Sequence, residues 1–359
     1  MSSGLVDSIG FIEDDALVQF AVIIPVHNTA KYLAECLDSV LAQTYKKFIA
    51  FVVDDGSSDG SGNIADFYRS KDSRIQVVHT KNGGVSKARN IALEYIEQKK
   101  GFDYVLFLDS DDKWSSDCLE TIYKYISNNE NYVLSFGLKR FWKGGGIQEE
   151  FKVSHPPICF GYDESFRFIL DNVSLRYIAS PASSLGIGNF VAPCNLIRGI
   201  RFDATLQNGE DQDFKMRAIL KSKGLIAISD VLLLYRQRLG SLSHQREPTL
   251  NEGKYFVKLI QNAQSLSPEV VRVIENRAAM FWWSTLRKCA HRKGALRKNW
   301  PEFCAFLYWM QRTFRSGIID SPRFIKHKKI FSLGRRLVWL YFFLSREKYH
   351  KIQECDYFE

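Results

Sequence analysis

The sequence has no apolar run long enough to cross a bilayer as a helix, so no spanning segment is expected. It has no CxxC pair. Its seven cysteines (Cys36, Cys118, Cys159, Cys194, Cys289, Cys304, Cys355) are odd in number and widely spread, which speaks against a zinc site and for a reduced compartment. The first twenty residues lack a basic start followed by an apolar stretch and instead carry Asp7, Glu13, Asp14 and Asp15. That pattern argues against a secretory signal and leaves the cytoplasm as the expected location. Acidic residues are scarce near the end: from Arg277 to Glu359 there are 18 Lys+Arg against 6 Asp+Glu. The other 276 residues carry 31 against 34, so the overall charge of +9 belongs to the tail. Such asymmetry points to an anionic partner for the tail, a membrane surface or a nucleic acid.

What is present is ordinary globular composition: 359 residues, 45% hydrophobic and 25% charged. That suits one large domain, or a catalytic domain with an extension. Apolar, β-rich runs begin at Phe20 (FAVIIPV), Phe48 (FIAFVV), Ile75 (IQVVH) and Asp103 (DYVLFL), 28, 27 and 28 residues apart. Helix-like stretches lie between them, at Lys31–Leu41, Gly60–Arg69 and Val85–Gln98. Strand, helix, strand at this period predicts an α/β fold with a Rossmann-like, mostly parallel sheet and flanking helices. In open sheets of this kind ligands bind at the carboxyl ends of the strands. After about Asn131 the period breaks, and residues 139–200 read as irregular. A helix is expected from Asp211 to about Gly224, then a strand (LIAISDVLLLYRQR), and helices from about Leu250 onward.

Polar clusters fall at the predicted strand ends. Asp109-Ser110-Asp111-Asp112 brings three carboxylates together, and crowded carboxylates favour a hard divalent cation between them. The same residues could equally form a turn capping a helix near Trp114–Ser116. Asp54-Asp55-Gly56-Ser57-Ser58-Asp59-Gly60 reads on its own as a turn and a helix cap. Ile24-Pro25-Val26-His27-Asn28 projects a ring and an amide from the first strand. Asn82-Gly83-Gly84-Val85-Ser86-Lys87-Ala88-Arg89-Asn90 combines glycines that permit close backbone approach with two cations opening a helix. Those cations meet either phosphate or only solvent. Glu210-Asp211 opens a later helix, where acids are favoured by the macrodipole alone.

Taken in order, FAVIIPVHN, AECLDSVLAQTY, VVDDGSSDGS, NGGVSKARN, FLDSDD, NGEDQDF and LYRQRLGSLS resemble the family 2 glycosyltransferases of GT-A fold, over about Phe20 to Ser243. The resemblance implies an inverting transferase that moves a hexosyl or N-acetylhexosaminyl group from a UDP-sugar to a hydroxyl of a saccharide acceptor. It implies a divalent cofactor, Mn2+ or Mg2+, at the DxD motif, with Asp111 as ligand beside Asp109. Asp211 is then the base, with Glu210 orienting it or touching the acceptor. The donor would meet Pro25, His27, Asn28, Asp54, Asp55, Lys87, Arg89, Asp109, Ser110, Arg236 and Arg238, with Asp55 accepting from the uracil N3–H. Members usually carry Tyr where this chain has His27. His244 joins the metal or diphosphate in the closing loop, where Leu239 replaces the frequent Pro.

The expected domains are residues 1–248, catalytic, with a donor half at about 20–138 and an acceptor and base half at about 139–248. Residues 249–359 form a helical extension. Its aromatics (Phe281-Trp282-Trp283, Trp300, Tyr308-Trp309, LVWLYFF) alternate with basic clusters, which suits a helix lying on an anionic membrane. That would place the protein peripherally on the inner face of the cell membrane, with a lipid-linked acceptor in bacterial surface-polysaccharide synthesis. The alternative is a non-catalytic protein whose tail binds membrane or nucleic acid. Nucleic acid is disfavoured, because the clustered carboxylates would repel its phosphates.

Overall fold

The computed structural model describes residues 18–127, 129–142, 147–151, 158–161, 165, 186–206, 209–237, 267, 268 and 271. Arg238, His244 and, apart from residues 267, 268 and 271, the helical extension expected at 249–359 lie outside the described residues. The chain divides into two compact units, one of residues 1–205 with 210–239, the other of 206–209 with 240–359.

The strands of the first unit are β1 (Phe20–Val26), β2 (Phe48–Asp55), β3 (Ile75–Thr80), β4 (Tyr104–Phe107), β5 (Lys113–Trp114), β6 (Tyr132–Trp142), β7 (Ile147–Phe151), β8 (Ile158–Phe160), β9 (Phe190–Pro193) and β10 (Gly224–Gln237). Its helices are α1 (Ala30–Leu41), α2 (Ser61–Lys71), α3 (Val85–Lys99), α4 (Cys118–Ile126), α5 (Cys194–Ile197) and α6 (Glu210–Lys221). One sheet runs β3-β2-β1-β4-β9-β6-β10-β5, with β7 beside β6 and β8 beside β10. Strands β1 to β4 are parallel, as are β6 and β10, and antiparallel ladders join the rest. The predicted period is therefore real, and the sheet it begins becomes mixed once β9 enters.

The elements follow from their side chains. Strand β1 is buried throughout, as a strand covered by helices on both faces must be. Pro25 lies two residues beyond Ile23, the last β1 residue paired with β4, so its missing N–H breaks no bond of that ladder. Helix α1 buries Leu33, Cys36, Leu37 and Val40, the one-sided spacing of an amphipathic helix. Helix α3 buries Arg89 on the same face as Ala92, Leu93 and Ile96, which turns a cation inward.

Residues 139–200 are not uniformly irregular. Strand β6 continues to Trp142, and β7, β8 and β9 all fall in this interval. Ser135, Gly137, Lys139 and Arg140 interrupt the apolar pattern of β6. Its pairing comes from β9 and β10, distant in sequence, and from the adjacent β7, instead of from a repeating βα unit. Among the described residues no helix is long and apolar enough to cross a membrane. Cys36, Cys118 and Cys194 are free thiols.

Candidate active site

The carboxyl ends of β1, β2 and β3 meet in a polar lattice. The His27 ring Nδ1 donates to the Asp55 carbonyl at 2.8 Å, and its Nε2 faces the side-chain amides of Asn28 and Asn82, each at 3.2 Å. Asn28 Oδ1 accepts from the Ser58 N–H at 2.8 Å, which leaves its NH2 for the ring. The pattern selects the Nδ1–H tautomer of His27. Asn28 supplies the turn with φ 52°, a value Asn tolerates better than most residues.

Asp55 grips the next loop. Its Oδ1 and Oδ2 accept from the backbone N–H groups of Gly83 and Gly84, both at 2.8 Å, at the start of α3. Asp54 is a framework residue. It is 6% exposed, its Oδ1 accepts from Ser57 N at 3.0 Å, and its Oδ2 meets His79 Nδ1 at 2.9 Å. Burial pushes its carboxyl up, but the Ser57 and His79 hydrogen bonds outweigh this and hold it below the usual range. Asp59 fixes the first turn of α2 through Ser61 and also accepts from Ala30 N, which is the capping role this segment suggests when read alone.

Gly56 makes the lattice possible. Its φ is +66°, and a Cβ there would stand 2.7 Å from the backbone nitrogen of Asn82. Gly56→Ala is expected to cost at least the ~1–2 kcal/mol of a left-handed alanine and to push the Asn82–Gly84 loop off Asp55. Thermal unfolding should show the loss, and nucleotide affinity should fall with it.

The end of β4 carries Asp109, Ser110, Asp111 and Asp112. The turn does not cap a helix, since β5 intervenes before α4 begins at Cys118. Asp112 is 2% exposed and accepts from the Arg236 backbone N–H at 2.7 Å. Burial, then the charges of Asp111 and Asp109, push its carboxyl well above the usual range. Ser110 faces inward: it is 4% exposed and accepts from Thr29 Oγ1 at 3.0 Å. It braces the turn, whereas the motif alone points it at the donor.

Two arginines are also committed to the protein. Arg236 donates from Nε to the Asp111 carbonyl at 2.7 Å and from Nη2 to Glu35 at 2.9 Å. Its guanidinium lies 5.0 Å from the Tyr32 ring centre and 4.5 Å from that of Phe141. It therefore holds the DxD turn from behind, whereas the motif alone makes it a donor contact. Arg89, expected at ribose or diphosphate, donates from Nη1 to Asp211 Oδ1 at 2.7 Å and from Nη2 to Asp109 Oδ1 at 2.8 Å. It rests 5.1 Å above the Phe202 ring, which stacks on Phe214 at 4.2 Å and meets Phe107 edge-on. Burial works against its charge, but Asp211, Asp109 and Glu210 raise its affinity for the proton further still.

Asp211 opens α6. With Oδ1 on Arg89, its Oδ2 makes no hydrogen bond among the described residues, and the nearest place for a Cβ at Gly186 is 3.9 Å away. This oxygen is free to accept a proton. Glu210, 9% exposed, adds its negative field at Arg89. Lys87 stays exposed at the first turn of α3. No motif signalled Arg236 as a brace, or Tyr32, Glu35 and Phe141 as its partners; a buried cation on a strand end was the available clue.

Among the described residues no three or more His, Cys, Asp or Glu side chains converge as a metal cage. The all-oxygen donor set still fits a hard divalent cation, which is commonly held by one or two carboxylates and completed by substrate phosphates. At Asp112 burial and the charges of Asp111 and Asp109 outweigh the hydrogen bond and charge of Arg236.

The family model for Glycosyl transferase family 2 matches residues 21–172. Among curated proteins the chain is 33% identical over 233 residues to glycosyltransferase GlyA of Streptococcus pneumoniae serotype 4, covering 63% of this chain and 31% of that one. It is 29% identical over 231 residues to GlyG of the same organism, covering 62% and 72%. It is 30% identical over 224 residues to the poly(ribitol-phosphate) beta-N-acetylglucosaminyltransferase TarS of Staphylococcus aureus, covering 61% and 35%. The matches thus span about a third of the length of GlyA and of TarS. The crystal structure of S. aureus TarS residues 1–349 with UDP-GlcNAc superposes with a TM-score of 0.66 at 24% identity, over 81% of each chain. The matched residues begin one position into β1 and take in both the Asp55 lattice and the DxD turn, so over this stretch the chain is similar to the family 2 glycosyltransferases, on a fold like that of TarS.

Proposed function

We propose that the protein is an inverting glycosyltransferase that moves a hexosyl or N-acetylhexosaminyl group from a UDP-sugar to a hydroxyl of a saccharide acceptor, in bacterial surface-polysaccharide synthesis. The observation that carries this is the single guanidinium of Arg89 bridging Asp109 and Asp211. It ties a carboxylate with one free oxygen to the turn that would receive a diphosphate. The named relatives support the class: TarS is a beta-N-acetylglucosaminyltransferase, and its structure holds UDP-GlcNAc.

In this reading the lattice of His27, Asn28, Asp55 and Asn82 receives the uracil, against the ring face and the Asp55 carboxylate. Lys87 lies in reach of ribose or diphosphate. Asp211 Oδ2 takes the proton from the acceptor hydroxyl as its oxygen bonds to the anomeric carbon. The bond from that carbon to the diphosphate oxygen breaks, and UDP leaves with the electron pair. One displacement inverts the centre. Asp111, with Asp109 beside it, would hold Mn2+ or Mg2+, which when bound neutralises charge on the departing diphosphate. Asp112 and Arg236 keep the turn in place. His244 and Arg238 are further candidates at the diphosphate. The basic, aromatic tail fits peripheral contact with the anionic cytoplasmic face of a membrane and a lipid-linked acceptor.

Calorimetry with UDP tests the donor site. Binding should strengthen with Mn2+ in the wild type and gain nothing from it in Asp111→Asn. Absence of UDP binding with and without metal would exclude a uridine donor.

A further inference from the structure

Lys215 follows Asp211 by four residues on α6, one turn along the same face. It is 2% exposed, and its Nζ makes no hydrogen bond or ion pair among the described residues. The amine lies 5.8 Å from the centre of the Phe190 ring on β9. The charged groups facing it are Asp211 on its own helix, which favours the ammonium, and Arg89 on α3, which opposes it. Burial, with Arg89, outweighs Asp211 and brings the amine down to about 8.

We propose that Lys215 is a positioning residue for the base, its charge setting how strongly Asp211 draws the acceptor's proton. This rests on the reading of Asp211 as the base. With Lys215 charged, the Asp211 carboxylate faces two cations. With Lys215 neutral it faces Arg89 alone and becomes the stronger proton acceptor. Arginine keeps its charge throughout the working range, so of the two cations Lys215 is the one that titrates. Burial lets Lys215 lose its charge at about 8, below the ordinary lysine range, so turnover rises with pH as it does.

The test uses the full chain and UDP release from UDP-GlcNAc with water as acceptor, or from UDP-glucose or UDP-galactose where UDP-GlcNAc is not hydrolysed. Rates are read from about pH 6.5 to about pH 9.5 after subtracting a no-enzyme blank. The wild-type rate should rise about fivefold across this range. Lys215→Met should be flat at the wild type's upper level, and Lys215→Arg flat at its lower level. A flat wild-type profile, or a rise in either variant matching the wild type, overturns the proposal. Asp211→Asn separates the two readings. If it keeps wild-type turnover, the base assignment fails. If it is inactive while Lys215→Met still follows the wild type, only the role of Lys215 fails. No turnover of any of the three donors removes both. UDP calorimetry on each variant reports folding.

Thermal unfolding supplies a readout free of activity. The folded amine sits near 8 against an ordinary 10.5, so the unfolded chain binds the extra proton between these values. Stability therefore rises with pH across that window. Lys215→Met should lack this increment, and an identical pH dependence in the two proteins also overturns the proposal.

Discussion

Asp211→Asn is expected to lower turnover by about 10²–10⁴-fold, the span usual for general acid–base catalysis, while UDP binding stays within a few-fold of wild type. An asparagine oxygen can still accept the Arg89 hydrogen bond, so Arg89 keeps one partner there and the helix start is preserved. What disappears is the oxygen proposed to take the acceptor's proton. Each tenfold corresponds to ~1.4 kcal/mol of barrier, so the loss lies at about 3–5 kcal/mol. Single-turnover kinetics with saturating donor check it. A fall confined to KM would mean that Asp211 binds the acceptor without accepting its proton.

Arg89→Lys is the second large effect. Arg89 reaches Asp211 and Asp109 through two different nitrogens, at 2.7 and 2.8 Å. A single ammonium on a flexible stem does not reproduce that planar fork, nor the same contact with the Phe202 ring. One carboxylate is then released, and the two acids repel. Turnover is expected to fall about 10²-fold, the cost of misplacing reacting groups by an ångström or so. Stability should fall as well, by less than the ~3–5 kcal/mol of a broken buried pair, because Asp109 is 37% exposed and water can reach it. Kinetics and thermal unfolding on the same preparation separate the two losses. An unchanged rate with lowered stability would reduce Arg89 to a structural tie.

The parallel half of the sheet was legible because a βα period leaves its mark in every unit, and the strand starts expected at Phe20, Phe48 and Ile75 are the starts observed. The fourth begins one residue late, at Tyr104. The acids of the site were legible as types: Asp55, Asp109, Asp111 and Asp211 all lie at strand ends or a helix start. Their partners were not. The Arg89 bond to Asp211 spans 122 residues, and the Arg236 bonds to Asp111 and Glu35 span 125 and 201. No local pattern encodes such distances, so a cation near an expected phosphate reads as a phosphate ligand even where the fold gives it to a carboxylate. Ser110 misled for the same reason, since its inward turn depends on Thr29, 81 residues earlier. Strand β6 escaped because two of its three partner strands, β9 and β10, are distant in sequence and no repeating βα unit contains it. Lys215 looked like part of an ordinary helix face. Only packing against β9 shows that it lost its water.

The long β10 strand sets an order of assembly. Strands β1 to β4, with their intervening helices, need nothing beyond residue 107 to pair with one another, so a ribosome that has released that length has released a self-consistent half-sheet. The turn at Asp109–Asp112 does not share this independence. Thr29 and Arg89 hold its first half, but the anchors of its second half, the Arg236 backbone N–H on Asp112 and the Arg236 side chain on the Asp111 carbonyl, belong to a residue synthesised more than a hundred positions later. At a synthesis rate of about 5–20 residues per second, several seconds separate the lattice at the ends of β1 to β3 from the completed acidic turn. On the proposed function, a nascent chain in that interval has its site for the base of a nucleotide and lacks an ordered seat for the diphosphate.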